Sequence, residues 1–412
     1  MAKERILLTI VTFKRPGPWS QEDVADEMKE LVKTCGGVVV DTVFCRLEAP
    51  SAPTYITKGK VEELTTICAT GAVDTVIFSC DLKGSQQRNL EDVFGVKTID
   101  RTQLILDIFA RHAKSAEGKM QVELAQLEYL SPRLVGKGIE LSRLGGGIGS
   151  MGPGETKLEV DRRRISDRVA KLKKDLKEVT LSRQVKRKKR QNDQIPLISL
   201  VGYTNAGKST LLNTLTAAGT ITNDGLFTTL DSLARQYVFP NKRKVVFSDT
   251  VGFMHDLPHR LIESFKATLE EVRQADILVH VIDISHPNYK NFYEAVEFVL
   301  KELEVLDKPT ITVLNKIDKV AGRVWLSSVS SQFPNAVIIS ALDGENLDQL
   351  LDRIDGMLSE GMVEIDQKIP IDRMDLVNLA YKQGQVHAIR YLSRSIHIHA
   401  TLPLKIAAQF KE

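Results

Sequence analysis

Cysteine is scarce in this chain of 412 residues: Cys35, Cys45, Cys68 and Cys80 are the only four, and no two stand as CxxC. That excludes a disulfide framework and leaves no thiolate set for zinc, so four buried thiols in a reducing compartment are expected. Long hydrophobic runs are missing too. No stretch approaches the roughly 20 apolar residues of a membrane span. Behind Met1-Ala2-Lys3-Glu4-Arg5 only residues 6–11 are apolar, too few for a signal peptide, so a cytoplasmic protein is expected. Charge of one sign is also lacking: 56 Lys and Arg face 53 Asp and Glu, a net +3 that by itself points to no partner. The chain shows no internal repeat, no metal-ligand cluster and no nucleophile motif. What remains is a globular composition, 42% hydrophobic and 26% charged, long enough for about two to four domains.

Strand and helix signals alternate through residues 1–100. Beta-branched runs at 6–11, 38–44, 74–78 and 96–99 are separated by helical patterns at 20–34, 61–69 and 86–94, which predicts a small α/β domain with a largely parallel sheet. From Arg101 the period becomes helical. Leu104, Ile108, Met120, Leu124, Leu127 and Leu134 predict one long, partly interrupted helix. Leu158, Ile165, Val169, Leu172, Leu176 and Val179 fall at heptad spacing, so an antiparallel helical hairpin is expected over 101–194. Its loop, 136–154, holds eight glycines in 19 residues. Between Arg162 and Arg190, 14 Lys and Arg stand against Asp167, Asp175 and Glu178, an excess of +11 hidden in the small net charge. Residues 195–360 alternate again in the manner of a doubly wound nucleotide-binding sheet, and 361–412 read as a small α+β domain.

The chemistry is carried by an ordered set of motifs. Gly202-Tyr203-Thr204-Asn205-Ala206-Gly207-Lys208-Ser209 matches GxxxxGK[ST] between an apolar strand and a helix. Glycines let such a backbone wrap phosphates with its N–H groups, Lys208 reaches the terminal phosphates, and Ser209 offers its hydroxyl to Mg²⁺. Asp249-Thr250-Val251-Gly252 ends a second strand; its carboxylate can hold Mg²⁺ through water, and Gly252 can present an amide to the γ-phosphate. Asn315-Lys316-Ile317-Asp318 selects the base, because a carboxylate at Asp318 accepts both N–H groups of guanine's edge. Ser340-Ala341-Leu342 can close over that base. Phe227-Thr228-Thr229-Leu230-Asp231 lies where a switch loop supplies a Thr to Mg²⁺, with Thr229 the expected ligand. Lys208, Thr229 and Gly252 are thus the expected catalytic groups of a Mg²⁺-dependent GTP hydrolase. Phe253 stands where Ras-type proteins place a water-orienting Gln, and a phenyl ring cannot do that work.

Outside this set, Thr57-Lys58-Gly59-Lys60-Val61-Glu62-Glu63-Leu64, Gln86-Gln87-Arg88-Asn89-Leu90, Asp100-Arg101-Thr102 and Gln121-Val122-Glu123-Leu124-Ala125-Gln126-Leu127 are distinctive. So is the glycine loop, Gly145-Gly146-Gly147-Ile148-Gly149, with its exit Gly152-Pro153-Gly154-Glu155-Thr156. With these motifs the chain resembles the HflX family of ribosome-associated GTPases over about 5–360, departing at Ser150-Met151 and Lys157, where the family usually has Thr-Arg and Gln. The resemblance implies binding to the ribosomal large subunit and its rRNA, and in some members the separation of stalled ribosomes under stress. A basic helix beside a glycine loop suits folded RNA, although a charge run is commonly just a solvated face. The alternative function is a GTP-gated RNA-binding or ribosome-assembly factor without splitting activity. His255, His259, His397 and His399 are read as packing or exposed surface residues. With the hairpin paired internally, a monomer is expected.

Overall fold

The computed structural model describes residues 3–14, 19–134, 157–192, 195–216, 226–227, 233–255, 266–360 and 362–410. The glycine loop and residues 228–231 lie outside the described residues. At the N-terminus β1 (Arg5–Phe13), β2 (Val38–Leu47), β3 (Thr75–Phe78) and β4 (Lys97–Asp100) form a parallel sheet in the order β2-β1-β3-β4. The crossovers are α1 (Gln21–Thr34), α2 (Lys58–Thr70) and α3 (Gly84–Phe94). Helix α1 begins at a capping box: the Ser20 hydroxyl accepts from the Asp23 amide while the Asp23 carboxylate accepts from the Ser20 amide. Of the cysteines, Cys45 and Cys68 are buried and Cys35 and Cys80 half-buried, all free. Burial pushes the Cys45 thiol up to about 11 and that of Cys80 to about 12, so neither is a reactive thiolate.

Two helical expectations are corrected. The single long helix is two, α4 (Arg101–His112) and α5 (Ala116–Leu130), because Ser115 caps a new start by accepting from the Gly118 amide at 2.8 Å. Helix α6 (Lys157–Asn192) then packs on α5, with Leu172 buried in the seam. Ion pairs between the two helices include Arg168–Glu123 at 2.7 Å and Lys173–Glu128 at 2.8 Å. These pairs ascend together along both helices, the order of a parallel contact and not of the expected antiparallel hairpin.

The second sheet contains β5 (Leu197–Gly202), β6 (Leu233–Val238), β7 (Lys244–Asp249), β8 (Ile277–Asp283), β9 (Thr310–Asn315) and β10 (Val337–Ile338), in the order β10-β9-β8-β5-β7-β6. All neighbours are parallel except the edge strand β6, which pairs antiparallel with β7. The helices that go with it are α7 (Lys208–Thr216), α8 (Lys266–Gln274), α9 (Tyr289–Glu302), α10 (Leu326–Ser330) and α11 (Leu347–Ser359). Last come β11 (Met362–Pro370), α12 (Met374–Gln383), β12 (Gln385–Tyr391), β13 (Ser395–Pro403) and α13 (Leu404–Ala407). Their antiparallel sheet, ordered β11-β13-β12, buries Ile365, Ile369, Ile396 and Ile398 on one face. On the other face His397 pairs with Asp366 at 2.7 Å and His399 with Glu364. The antiparallel register thus supplies carboxylate partners that are distant in sequence.

One apolar core runs from the first sheet into the second, joining Leu8, Met28, Leu106 and Phe109 with Phe227, Phe253 and Met254. At its centre the Arg101 guanidinium pairs with Glu27 at 2.8 Å and donates to the His255 carbonyl at 2.6 Å, with Arg101 and Glu27 both nearly buried. Breaking such a pair strands a charge. Replacing Arg101 by Met should therefore destabilise the chain by about 3–5 kcal/mol, whereas Arg168→Ala at an exposed pair should hardly move the unfolding midpoint. Denaturant titration followed by circular dichroism checks this; equal midpoints for the parent and Arg101→Met would refute it.

Candidate functional site

The expected phosphate loop leaves the carboxyl end of the central strand β5 and enters α7, the place where open α/β sheets bind ligands. Its backbone is tightly prescribed. Gly207 takes φ +97°, and a Cβ there would lie 2.2 Å from the Asn315 side-chain nitrogen, so only glycine fits. Asn205 sits at φ +61°, a left-handed conformation that asparagine tolerates. The buried Lys208 ammonium donates to the carbonyls of Gly202 at 3.1 Å and Tyr203 at 2.8 Å, which curls the loop around it.

Asp249, fully buried at the end of β7, accepts from the Ser209 hydroxyl through Oδ2. Its Oδ1 is buried and has no hydrogen-bond partner among the described residues. Burial raises the Asp249 carboxyl above its ordinary value, while Lys208 and Ser209 pull it back. Burial likewise pushes Lys208 down to about 8, against the pull of Asp249. A hydroxyl, a carboxylate and one uncommitted carboxylate oxygen at a single point suit a hard divalent cation, so the residues present fit Mg²⁺. Thr250 donates to the Leu200 carbonyl at 2.7 Å, which fixes the start of the next segment. Gly252 then passes so close to the loop that a Cβ would meet the Thr204 Cα at 2.8 Å. Phe253 continues the strand pairing, donating to the Gly202 carbonyl at 3.1 Å and accepting from the Thr204 amide at 2.8 Å. Its ring is 2% exposed, packed in the shared core.

Asn315 is a strut between three segments. Its side chain donates to the Ala206 carbonyl at 2.8 Å and accepts from the Ala341 amide at 2.9 Å. Lys316 takes φ +68° and pairs with Asp283 at 2.8 Å. Asp318 accepts from the Ser340 hydroxyl at 2.7 Å, and that hydroxyl in turn accepts from the Asp343 amide at 3.1 Å. Ile317 is buried, Leu342 is 70% exposed, and Thr214 of α7 donates to the Ala341 carbonyl at 2.7 Å. The structure thus assembles 202–209, 249–252, 315–318 and 340–342 at one end of one sheet. Phe227 is buried, edge-on to Phe109 with centroids 4.7 Å apart. Thr228, Thr229, Leu230 and Asp231 lie outside the described residues, as does His259.

Sequence reasoning missed what surrounds the loop. The Tyr203 hydroxyl donates to Glu27 of α1 and accepts from the His255 amide at 3.0 Å, while the ring stacks on Phe292 at 4.2 Å. Trp19 covers His255 at 4.5 Å. No local signal could have found these contacts, because they join residues far apart in sequence.

Four families match consecutive stretches of the chain. Residues 22–110 match the GTP-binding GTPase N-terminal family, 112–190 the GTP-binding GTPase middle region, 197–316 the 50S ribosome-binding GTPase family and 326–402 the HflX C-terminal domain. The last extends the likeness beyond residue 360. Among curated relatives, the GTPase HflX of Caldanaerobacter subterraneus is 43% identical over 99% of this chain and 93% of its own length. That of Lacrimispora saccharolytica is 44% identical over 100% and 96%, and that of Escherichia coli 41% identical over 90% and 86%. With such identity along nearly its whole length, the chain belongs to the HflX family of GTPases.

Proposed function

We propose that this GTP hydrolase works as a Mg²⁺-dependent switch on the ribosomal large subunit, and that its action there is to split or rescue stalled ribosomes. The observation that carries the reading is the convergence of Lys208, Ser209, Asp249, Asn315 and Asp318 at one sheet end, in a chain whose residues 197–316 match a 50S ribosome-binding GTPase family. The division of labour is read as a domain of 1–100, a helical unit of 101–194, a GTPase domain of 195–360 and a C-terminal domain of 361–412.

The roles follow from chemistry. The 202–209 backbone cradles the phosphates, and Lys208 moves its hydrogen bonds from the Gly202 and Tyr203 carbonyls to the terminal phosphates. Ser209, Thr229 and, through water, Asp249 hold Mg²⁺, which when bound neutralises charge on the β- and γ-phosphates. The Gly252 amide addresses the γ-phosphate. Asp318 accepts from guanine's edge while Lys316 and Ala341 flank the base. Asp318→Asn should consequently shift preference from guanine toward xanthine nucleotides, and Lys208→Ala should abolish tight binding. Fluorescent-nucleotide titration tests both, and unchanged GTP affinity in either variant would defeat its assignment.

Because the Phe253 ring is buried and has no polar atom, nothing at that position orients the attacking water. Hydrolysis by the isolated chain should be slow, and docking on large subunits should accelerate it by ordering the switch segments. Steady-state turnover with and without purified subunits measures this; equal rates would sink partner activation.

Arg162, Arg163 and Arg164 on α6 are exposed and lie a few residues from the glycine loop, where RNA phosphates docked at that loop would come within their field. Binding to large subunits should weaken steeply with salt, each lost phosphate contact lowering the log–log slope by about one. Deleting 145–154 should spare GTP binding but cripple ribosome splitting, read by sedimentation. A deletion variant that separates ribosomes like the parent would overturn this role. Co-sedimentation of the parent with subunit precursors alone would favour an assembly factor instead.

A further inference from the structure

Asp283 stands at the carboxyl end of β8, directly opposite Asn315 of β9 in the parallel register. Its carboxylate has two separate tasks. Oδ1 accepts from the Ser285 amide at 3.0 Å and from the Ser285 hydroxyl at 2.5 Å, which closes a tight turn at the strand end. Oδ2 meets the Lys316 ammonium at 2.8 Å, with the two side chains only 18% and 15% exposed. A carboxylate locked to its own turn is a fixed point, and the long lysine stem is tied to it by the far end.

Lys316 needs such a tether. Its backbone takes φ +68°, a left-handed conformation uncommon for any residue but glycine. From there its stem runs back over the phosphate loop: Cε lies 3.9 Å from the point that a Cβ on Gly207 would occupy. An unheld lysine leaves such a course readily, because ordering its side chain costs more entropy than ordering almost any other. Charge points the same way. Burial, against the pull of Asp249, and then the nearby Lys316 charge lower the Lys208 ammonium, so the two cations sense one another across the loop. Asp283 offsets the second of them at close range. The Lys316 ammonium is thereby committed, and what it presents beside the loop is its methylene stem.

We propose that Asp283 is a positioning residue for nucleotide binding: by holding the Lys316 ammonium, it stretches the lysine stem from the 315–318 motif across Gly207 as a rail for the guanine nucleotide. This role rests on the reading of 315–318 as the base-binding motif. Lys316 then flanks the base with hydrocarbon rather than charge, and binding depends on the pair and not on the ammonium alone. GDP and GTP share base and ribose, so the rail acts on both alike and leaves the γ-phosphate to other groups.

The test uses the full chain, with fluorescent GDP and a fluorescent non-hydrolysable GTP analogue, and with hydrolysis of GTP followed in parallel. Asp283→Asn should weaken both nucleotides about tenfold and equally, the loss of hydrolysis appearing in KM and not in kcat. Lys316→Met keeps an unbranched stem but strands the Asp283 charge, and should weaken binding about as much. The double variant carries no stranded charge and should bind no more weakly than either single one, whereas independent contributions would multiply to about a hundredfold. A purely structural pair would lower the unfolding midpoint by circular dichroism and leave affinity alone. Unchanged affinity in Asp283→Asn, a loss confined to the GTP analogue, or multiplied losses in the double variant would overturn the assignment. Asp318→Asn keeps the two readings apart. If its base preference does not move, the base motif itself is misread; if it shifts while Asp283→Asn binds like the parent, only the rail is lost.

Discussion

The Tyr203 side chain is the constraint on which much of the arrangement rests. It belongs to the phosphate loop, yet its hydroxyl donates to Glu27 of the N-terminal sheet's first helix and accepts from the His255 amide just beyond Phe253. Arg101, at the start of α4, neutralises Glu27 and grips the His255 carbonyl. A buried carboxylate is tolerated only when such partners surround it, so the pair cannot be loosened piecemeal. Three segments from two sheets are thereby held in one register: the phosphate loop, the segment after Asp249 and the first helix. The apolar core continues around this knot without interruption, which makes the two sheets one packed body at that point.

The same region contains charges that folding alone does not satisfy well. Lys208 and Asp249 are both buried, and burial moves each toward its neutral form. Lys208 spends its hydrogen bonds on loop carbonyls, and Asp249 keeps one oxygen unbonded among the described residues. A triphosphate and a divalent cation are the chemical complement of these two groups, one supplying negative oxygens and the other positive charge. Binding energy at the site thus draws on desolvation already incurred in folding, the logic of preorganised electrostatics. The base end is built differently. Asn315 and Ser340 brace the strand ends through ordinary hydrogen bonds, leaving Asp318 aligned by a neutral hydroxyl rather than tied up by a cation.

How much of this was legible in the sequence depended on whether the determining interaction was local. The parallel N-terminal strands, the loop from Gly202 to Ser209 and the strand ends at Asp249 and Asn315 emerged from periodicity and motif spacing, because neighbours in sequence fix them. An interruption was legible between residues 101 and 134 but not its place at Ser115, because the apolar residues on either side keep a helical spacing that hides a three-residue break. The direction of α6 against α5 could not be read, since a heptad seam specifies which face is buried and not which way the partner runs. The edge strand β6 escaped for a related reason: an edge strand exposed on much of its surface carries little apolar signal. For the histidines of β13 the sequence shows alternation, but only the antiparallel register with β11 brings Glu364 and Asp366 to them. Glu27 and Arg101 mark the limit of such reading. Arg101 stands in a distinctive stretch and Glu27 on an amphipathic helix, but neither announces a buried partner, and only the docking of one sheet against the other turns both inward and makes them the anchor of the phosphate loop.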